Sequence, residues 1–218
     1  MPRLILLGLA GLLLAACATP RQPVDEQSEQ RWQQRVQQLA ALDDWQLRGR
    51  VAVFVDDEVY NLGLRWLRQG SASSLSFEAS LGQGLIELEK TEAGVELNTS
   101  EGQSFSGSNA QAVIQQATGL VVPVRGLESW IKGVPHPRRP PEYAIDSQGR
   151  ATHIVQDAWF INYLDYTEVD LPGLGATELP RRLYMKHDDI ALKLVIDQWL
   201  SEEAAPADPG LFPDFPGR

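Results

Sequence analysis

The chain has 218 residues, enough for one substantial hydrophobic core, and single all-β domains reach this length. Its 19 Lys and Arg against 29 Asp and Glu give a formal net charge of −10, which argues against binding nucleic acid or anionic lipid through overall charge. One cysteine excludes an internal disulfide, and three histidines provide few ligands for a metal site.

The N-terminal segment has the pattern of a secretory signal. Arg3 precedes an apolar run over residues 4–16, which is shorter than the ~20 residues that a membrane-spanning helix needs. Small residues then lead into a cysteine, in the order Leu14-Ala15-Ala16-Cys17. This order resembles the bacterial lipobox, which implies a signal peptide over residues 1–16 and acylation of Cys17 as the mature N-terminus. The alternative is an ordinary signal in which the cysteine is incidental.

Two segments lead from this cysteine into the body of the chain. Residues 17–27 are polar and contain two prolines, which predicts a flexible tether. Residues 28–42 carry apolar side chains three and four apart, which predicts an amphipathic helix through Trp32, Val36, Leu39 and Leu42. Packing of this helix on a sheet is the favoured interpretation, and a helix lying on a membrane surface is the alternative.

From residue 45 the apolar period changes to two, which is typical of half-buried strands. Short turns rich in Gly, Asp and Ser separate the alternating stretches. Evenly spaced short strands predict an antiparallel meander in a single domain over residues 28–200. The strands predicted in the first half cover residues 45–55, 60–66, 73–79, 86–90 and 95–99.

Two short helices interrupt the meander. Ser108 and Gln111 match a capping box, and Gly119 has the place of a C-cap glycine, which predicts the first helix. An extended link follows over residues 121–124. The second helix is predicted to end at Gly133, from the helical spacing of Leu127, Trp130 and Ile131.

The meander then resumes and ends in a tail. Residues 171–180 hold two prolines and two glycines, which predicts a loop, and the proline-rich residues 201–218 predict a disordered tail. The predicted class is mainly β, with about eleven strands, one N-terminal helix and two inserted helices. The strands predicted in the second half cover residues 143–146, 152–156, 159–165, 183–185 and 190–196.

Signatures of catalysis and of metal binding are weak. His136, His153 and His187 have no second histidine at metal-ligand spacing, and an acylated Cys17 leaves no thiolate. No serine lies in a nucleophile elbow, and no glycine-rich loop matches a phosphate cradle. The pair Asp188-Asp189 is typical of a solvated turn. We therefore expect no enzyme activity, no metal and no cofactor, with an envelope hydrolase as an alternative hypothesis.

The apolar side chains of the predicted sheet have two interpretations. Either they fill the interior, or they enclose a space for an apolar ligand, because a sheet of about eleven strands curls. Sequence alone favours the filled interior, since aromatic residues on strands usually pack against one another. If an acyl-binding space exists, the residues expected to face it are Trp66, Leu75, Phe77, Leu88, Leu97, Trp130 and Trp159.

One leucine stands in a glycine-flanked loop. Leu81 lies between Ser80 and Gly82, just after a predicted strand. The residues alone favour a leucine that folds back onto the core or is harmlessly exposed. A leucine that projects into solvent is the alternative.

Several of these stretches together resemble the LolB family of outer-membrane lipoprotein receptors. The resemblance extends over roughly residues 17–199 and is most specific over residues 119–135. It is carried by the lipobox, the leading helix, the Ser80-Leu81-Gly82 loop, and the motifs Asp44-Trp45-Gln46-Leu47-Arg48-Gly49-Arg50-Val51, Gly119-Leu120-Val121-Val122-Pro123-Val124 and Leu127-Glu128-Ser129-Trp130-Ile131-Lys132-Gly133-Val134-Pro135.

The resemblance implies a fold and an interior. The fold is an unclosed antiparallel β-barrel of eleven strands, with helices lying over its opening. The interior is an apolar cavity for lipoprotein acyl chains, so the resemblance reverses the preference for a filled interior.

The resemblance also implies a function. A receptor of this family takes lipoproteins from the periplasmic carrier LolA and inserts them into the outer membrane. Leu81, with Gly82, matches the membrane-insertion loop, while Ala18 and Thr19 lack the aspartate that signals inner-membrane retention. We expect a monomer that is anchored in the outer membrane through Cys17 and faces the periplasm. A structural or assembly lipoprotein that binds a protein partner through its sheet is the alternative.

Overall fold

A computed structural model describes residues 25–79 and 84–200. The signal peptide, Cys17, most of the tether, the loop with Leu81 and Gly82, and the tail lie outside the described residues. The helices are α1 (Glu26–Ala40), α2 (Ala110–Thr118) and α3 (Val124–Trp130). The strands are β1 (Trp45–Val55), β2 (Glu58–Gln69), β3 (Ala72–Ala79), β4 (Leu85–Lys90), β5 (Val95–Thr99), β6 (Ser104–Gly107), β7 (Glu142–Ile145), β8 (Ala151–Gln156), β9 (Trp159–Leu171), β10 (Gly175–His187) and β11 (Ile190–Leu200).

The described strands form one antiparallel sheet. Their order is β6-β5-β4-β3-β2-β1-β11-β10-β9-β8-β7, so β1 lies at the centre and β6 and β7 are the two edges. The sheet is therefore not closed. A mainly β fold with eleven strands, an unclosed sheet, an N-terminal helix and two short inserted helices confirms the predicted fold class.

The central strand β1 shows how the sequence defines two faces. Trp45, Leu47 and Val51 are buried on the inner face, whereas Arg50 is exposed on the outer face. Successive side chains of a strand point to opposite faces, so the alternating sequence sorts apolar from polar residues. A bulge interrupts the register with β11 beside Gly49. A Cβ atom at Gly49 would lie 2.3 Å from the Val195 carbonyl oxygen, which explains the glycine.

The loop predicted over residues 171–180 is wrong in extent. β9 continues to Leu171 and β10 begins at Gly175, and these two residues pair with each other. Only residues 172–174 lie between the two strands. Pairing extends the strands because the backbone groups of each bond to the other, and Leu179 gains complete burial. Pro180 is accommodated at a register shift, where a ladder hydrogen bond is dispensable.

Helix α1 covers one end of the sheet. It begins two residues before the predicted start, with the Asp25 carboxylate accepting a hydrogen bond from the Ser28 amide. Its apolar stripe is buried as predicted: Trp32 is 2% exposed and packs 5.1 Å from the Tyr143 ring of β7. The stripe is therefore occupied by contacts with the sheet. None of the helices in the described ranges combines the length and the apolar character that crossing a membrane requires.

Helix α2 starts one residue later than the capping box predicts. Its N-cap is Asn109, whose side-chain oxygen accepts hydrogen bonds from the amides of Gln111 and Ala112. Ser108 therefore lies outside the helix, and the prediction of Ser108 as N-cap is wrong. The C-cap at Gly119 is confirmed, with a φ of 76° that favours glycine.

A single buried amide attaches the segment after α3 to the sheet. The Gln156 oxygen accepts hydrogen bonds from the Trp130 indole (2.8 Å) and the His136 amide (3.0 Å). Its nitrogen donates to the carbonyl groups of His136 (2.9 Å) and Arg139 (2.6 Å). The Tyr163 hydroxyl adds a bond to the Trp130 carbonyl group. Gln156 thus uses its full hydrogen-bonding capacity in an interior site.

We expect Gln156→Ala to lower the free energy of unfolding by about 3 kcal/mol, because two buried donors and two carbonyl groups lose their partners. Chemical denaturation followed by tryptophan fluorescence measures the change. Gln198→Ala is the control, since Gln198 is exposed on β11 and should change stability by less than about 0.5 kcal/mol. Equal losses at both positions would contradict a special contribution of Gln156.

Candidate functional site

An apolar pocket lies between the inner face of the sheet and the two inserted helices. Its volume is about 150 Å³. The strands provide inward residues at every second position, and the helices provide residues three and four apart. The lining residues are Val51, Val53, Leu62, Leu64, Trp66, Leu75, Phe77, Ile86, Leu88, Leu97, Ile114, Thr118, Leu120, Val122, Val124, Leu127, Ile131, Met185, Ile190, Leu192 and Leu194.

The wall of this pocket presents almost no polar chemistry. Thr118 has the only side-chain hydroxyl in the lining, and it donates to the Ile114 carbonyl oxygen at 2.8 Å. The Trp66 indole nitrogen donates to the Ser73 hydroxyl at 2.8 Å, so it too is satisfied within the protein. The described lining therefore offers an occupant apolar contact and no unused side-chain hydrogen-bonding group.

The lining residues are more deeply buried at one end of the pocket than at the other. Trp66, Leu88 and Leu97 are at most 3% exposed, whereas Phe77 and Ile190 are only partly buried. The partly buried side chains lie toward the end of the sheet at which β3 finishes and β11 begins. The pocket is thus deepest around Trp66, Leu88 and Leu97 and most accessible at the opposite end.

Seven residues were predicted to face an acyl-binding space, and the structure brings five of them together. Trp66, Leu75, Phe77, Leu88 and Leu97 all line the apolar pocket. Five of the predicted residues thus line one pocket, and its occupant is considered under the proposed function.

Trp130 and Trp159 lie outside that lining. Trp130 is completely buried and packs 6.1 Å from the Trp159 ring, which itself stacks on His187 at 5.3 Å. Helical spacing alone places Trp130 on the face of the pocket-lining Leu127, three residues before it. A tertiary contact explains the difference, because the Trp130 indole donates to the Gln156 oxygen at 2.8 Å.

Several lining residues were absent from the prediction. They belong to the central strand, to α2 and to the last two strands, and the signal that identifies them is the same period-two or helical spacing. Which face of each strand turns inward depends on the register, and a shift of one residue exchanges the faces. The main additions are Val51, Val53, Ile114, Met185, Leu192 and Leu194.

The three histidines have structural contacts away from the pocket lining. The His136 Nε2 atom lies 2.5 Å from the Asp157 carboxylate, and its Nδ1 atom accepts a hydrogen bond from the Arg138 amide. His153 stacks on Phe160, on the outer face of β8 and β9. Across residues 25–79 and 84–200, no three His, Cys, Asp or Glu side chains converge in a way that would hold a metal ion.

Charged side chains fix α3 and the segment after it. Glu128 is 8% exposed and forms ion pairs with Arg68 and, at 3.6 Å, with Lys90. Lys132 is 5% exposed and donates to the Leu42 carbonyl oxygen at 2.9 Å. Burial, aided by the nearby Arg68 charge, lowers the pKa of Lys132 to about 8. Glu128 and Lys132 thus tie α3 and the residues after it to β2, to β4 and to the segment between α1 and β1.

The lowered pKa of Lys132 predicts a pH dependence. The unfolded chain holds this proton up to about pH 10.5, so between pH 8 and 10.5 it binds more protons than the folded state and stability rises with pH. Relative to Lys132→Met, the natural chain should gain about 2 kcal/mol between pH 8 and pH 10. Denaturation curves at both pH values measure this gain. Lys193→Met is the control at an exposed lysine, and parallel curves for the natural chain and Lys132→Met would contradict the prediction.

Comparison with known proteins gives a consistent result. The family model for outer membrane lipoprotein LolB matches residues 43–199. The chain is 34% identical over 198 residues to the outer-membrane lipoprotein LolB of Alkalilimnicola ehrlichii, covering 90% of this chain and 96% of that protein. It is 32% identical over 199 residues to that of Nitrosococcus oceani, with the same coverage, and 30% identical over 203 residues to that of Vibrio cholerae, covering 90% and 96%.

The matched region contains the sheet, both inserted helices and the whole lining of the apolar pocket. Relatives of this similarity over nearly their full length share the family and its setting in the Gram-negative envelope. The chain belongs to the LolB family of outer-membrane lipoproteins, which have their role in the Lol lipoprotein pathway.

Proposed function

We propose that this chain is a receptor, anchored in the outer membrane through Cys17, that binds lipoproteins by their acyl chains. It accepts them from a LolA-type periplasmic carrier and inserts them into the outer membrane. The observation that supports the proposal best is the apolar pocket, whose lining residues offer no unused side-chain hydrogen-bonding group.

The chemistry of this pocket suits acyl chains. An acyl chain has no hydrogen-bonding groups along its length, so a wall without such groups loses nothing by enclosing it. Burial of apolar surface is non-directional, and it therefore provides affinity without selecting one cargo protein over another. A receptor that serves many lipoproteins requires this lack of selection.

The size of the pocket implies that it widens on loading. At about 150 Å³ it is smaller than typical ligand pockets of roughly 300–1,000 Å³. A closed apolar wall must therefore separate before a long chain can enter. The contacts of the described helices support one choice of the wall that separates.

Helix α2 is the wall that we expect to move. The side-chain hydrogen bonds of its cap and last turn, at Asn109 and Thr118, stay within its own segment. Its buried residues Val113 and Ile114 make apolar contacts. Helix α3, in contrast, is fixed by Gln156 and by the ion pairs of Glu128. Opening at α2 thus breaks apolar contacts and leaves the buried polar network intact.

Delivery requires that the acyl chains leave the pocket again. Each CH₂ group that enters a bilayer contributes about 0.8 kcal/mol, so transfer proceeds without nucleotide when the membrane offers more burial than the pocket does. We propose that Leu81 enters the lipid and lowers the barrier to release. The strand that precedes it, β3, provides Leu75 and Phe77 to the pocket wall.

The first test of this proposal places a charge in the pocket. Phe77→Asp puts a carboxylate without a counter-ion on the apolar wall, which costs several kcal/mol when a ligand excludes water from it. We expect at least about a tenfold loss of affinity for an apolar fluorescent dye and for acylated lipoprotein, equivalent to about 1.4 kcal/mol. Fluorescence titration measures both affinities.

Val59→Asp is the matched control. It introduces the same carboxylate on the neighbouring strand at a side chain that is 51% exposed and outside the pocket lining. This variant should bind dye and lipoprotein normally. If folded Phe77→Asp also binds both normally, the pocket is not the acyl site.

The second test separates acceptance from delivery. Leu81→Glu removes the roughly 1.5–3 kcal/mol gained by burying leucine in lipid and adds a charge that resists entry. We expect this variant to fold, to accept lipoprotein from the carrier, and to transfer it slowly to liposomes. Labelled lipoprotein, followed from carrier to receptor and from receptor to liposomes, gives the two rates.

Leu81→Phe is the control for this second test. It keeps an apolar side chain at the same position and should preserve delivery. Normal delivery by Leu81→Glu would show that insertion uses another surface. Unfolding of Leu81→Glu would show that Leu81 belongs to the core.

A further inference from the structure

Two arginines face each other on the outer face of the sheet. Arg48 of β1 and Arg65 of β2 are directly opposite in the strand register. Both alternate with buried inward residues, so they lie on the face away from the apolar pocket. Within the described residues, neither of them forms an ion pair. Like charges placed directly across two strands destabilise a sheet, so folding alone does not account for this pair.

A shallow groove continues from this pair along the outer face. Its volume is about 640 Å³. Gly63 and Ala52 are among its lining residues, and their small size leaves a depression in the surface of the sheet. Arg50 and Lys193 also line it. We call the groove and the adjoining Arg48 and Arg65 the basic groove.

The acidic residues at the basic groove do not balance its cations. Arg50 is paired with Asp197 at 2.9 Å, and Glu78 lines the far side of the groove. Lys193 lies over the Phe54 ring at 4.9 Å, and none of the described carboxylates forms an ion pair with it. The groove therefore combines four cations with two carboxylates on a protein whose formal net charge is −10. A local field of this sign recruits an anionic partner despite the overall charge.

We propose that the basic groove binds the phosphate groups of anionic phospholipids and holds the outer face of β1 and β2 against the membrane during delivery. Guanidinium groups suit this ligand, because their N–H donors pair with phosphate oxygens in a bidentate manner. The inference rests on the proposed function, since a receptor that delivers acyl chains must contact the lipid surface.

The position of the groove favours lipid over an acidic protein. Glu78 and Ala79 line it, and they are the residues directly before the segment that carries Leu81. Headgroup contacts at the groove and entry of Leu81 into lipid would therefore occur side by side. A patch that recognised a separate protein would not need this position next to the proposed insertion loop.

The decisive variant is the double substitution Arg48→Gln with Arg65→Gln. Because it removes like-charge repulsion, its melting temperature should equal or exceed that of the natural chain. Loaded acylated receptor is mixed with vesicles of phosphatidylcholine, or of three parts phosphatidylcholine and one part phosphatidylglycerol. We expect the natural chain to deliver faster to the anionic vesicles. In the double variant, the ratio of the delivery rate on anionic vesicles to that on neutral vesicles should fall at least about fivefold, because each basic residue near an anionic surface contributes about 1 kcal/mol. Its delivery rate on neutral vesicles should not change.

Arg182→Gln is the matched control. Arg182 is an exposed cation on the outer face of β10, and it is paired with Asp165 at 3.3 Å. This variant should keep the preference for anionic vesicles, whereas raised salt should abolish the preference of the natural chain. Loss of the preference in Arg182→Gln would show that the preference depends on the net charge of the protein and not on the groove, and it would overturn the proposal. So would an unchanged preference in the double variant.

A readout without lipoprotein separates this proposal from the proposed function. Ser76→Cys places a thiol on β3 directly opposite Arg65, and the chain has a single natural cysteine, which acylation blocks. Energy transfer from a fluorophore at this thiol to headgroup-labelled phosphatidylglycerol should fall when Arg48→Gln and Arg65→Gln are added. This result supports the groove even if delivery fails in every variant. A double variant that keeps the energy transfer but no longer accepts lipoprotein from the carrier would assign the groove to an acidic protein and overturn the lipid proposal.

If the double variant does not fold, the arginine pair is structural, and Lys193→Gln then decides the question. Lys193 is exposed and lines the groove. Loss of part of the anionic preference in this variant supports the proposal, and an unchanged preference overturns it.

Discussion

An antiparallel sheet that curls without closing has an apolar inner face that must be covered. Here eleven strands leave β6 and β7 as separate edges, and the helices lie over the space between them. Helix α1 covers one end, α3 is bonded to the sheet, and α2 rests on apolar contacts. The cover is thus attached through hydrogen bonds and ion pairs at α3 and through apolar contacts at α2, and the pocket lies beneath both helices.

Period-two alternation predicted most of the sheet because each strand of this fold buries one face. Features that escaped prediction depend on pairing and tertiary contact. Leu171 and residues 175–180 belong to strands because β9 and β10 pair, which outweighs the local proline and glycine signals. Trp130 contacts Gln156 and not the pocket, and no local spacing reveals that partner. The Asn109 cap was missed for a local reason, because Ser108 and Asn109 are adjacent and both residue types are favourable at the N-cap.

Charge in this protein is informative only when it is located on the structure. A formal net charge of −10 suggests a molecule repelled by anionic surfaces, yet Arg48 and Arg65 on the outer face of the central strands form no ion pair with any residue that the structure describes. The inner face near Glu128 also contains cations, but Arg68 and Lys90 are paired with that carboxylate and partly buried. The two faces of one sheet therefore use basic residues differently, one to fix a helix and the other to attract an external anion.

The small volume of the pocket has an energetic consequence. Closely packed walls retain their dispersion contacts, so this arrangement avoids the destabilisation that a large void would cause. Under the proposed function, an acyl chain in the pocket would hold those walls apart, and part of its burial energy would be stored as lost wall-to-wall packing. That stored work is recovered when the chain departs and the walls meet again. Under the proposed function, such a pocket would retain an acyl chain less tightly than a preformed cavity, which would suit the proposed transfer from a carrier to a bilayer.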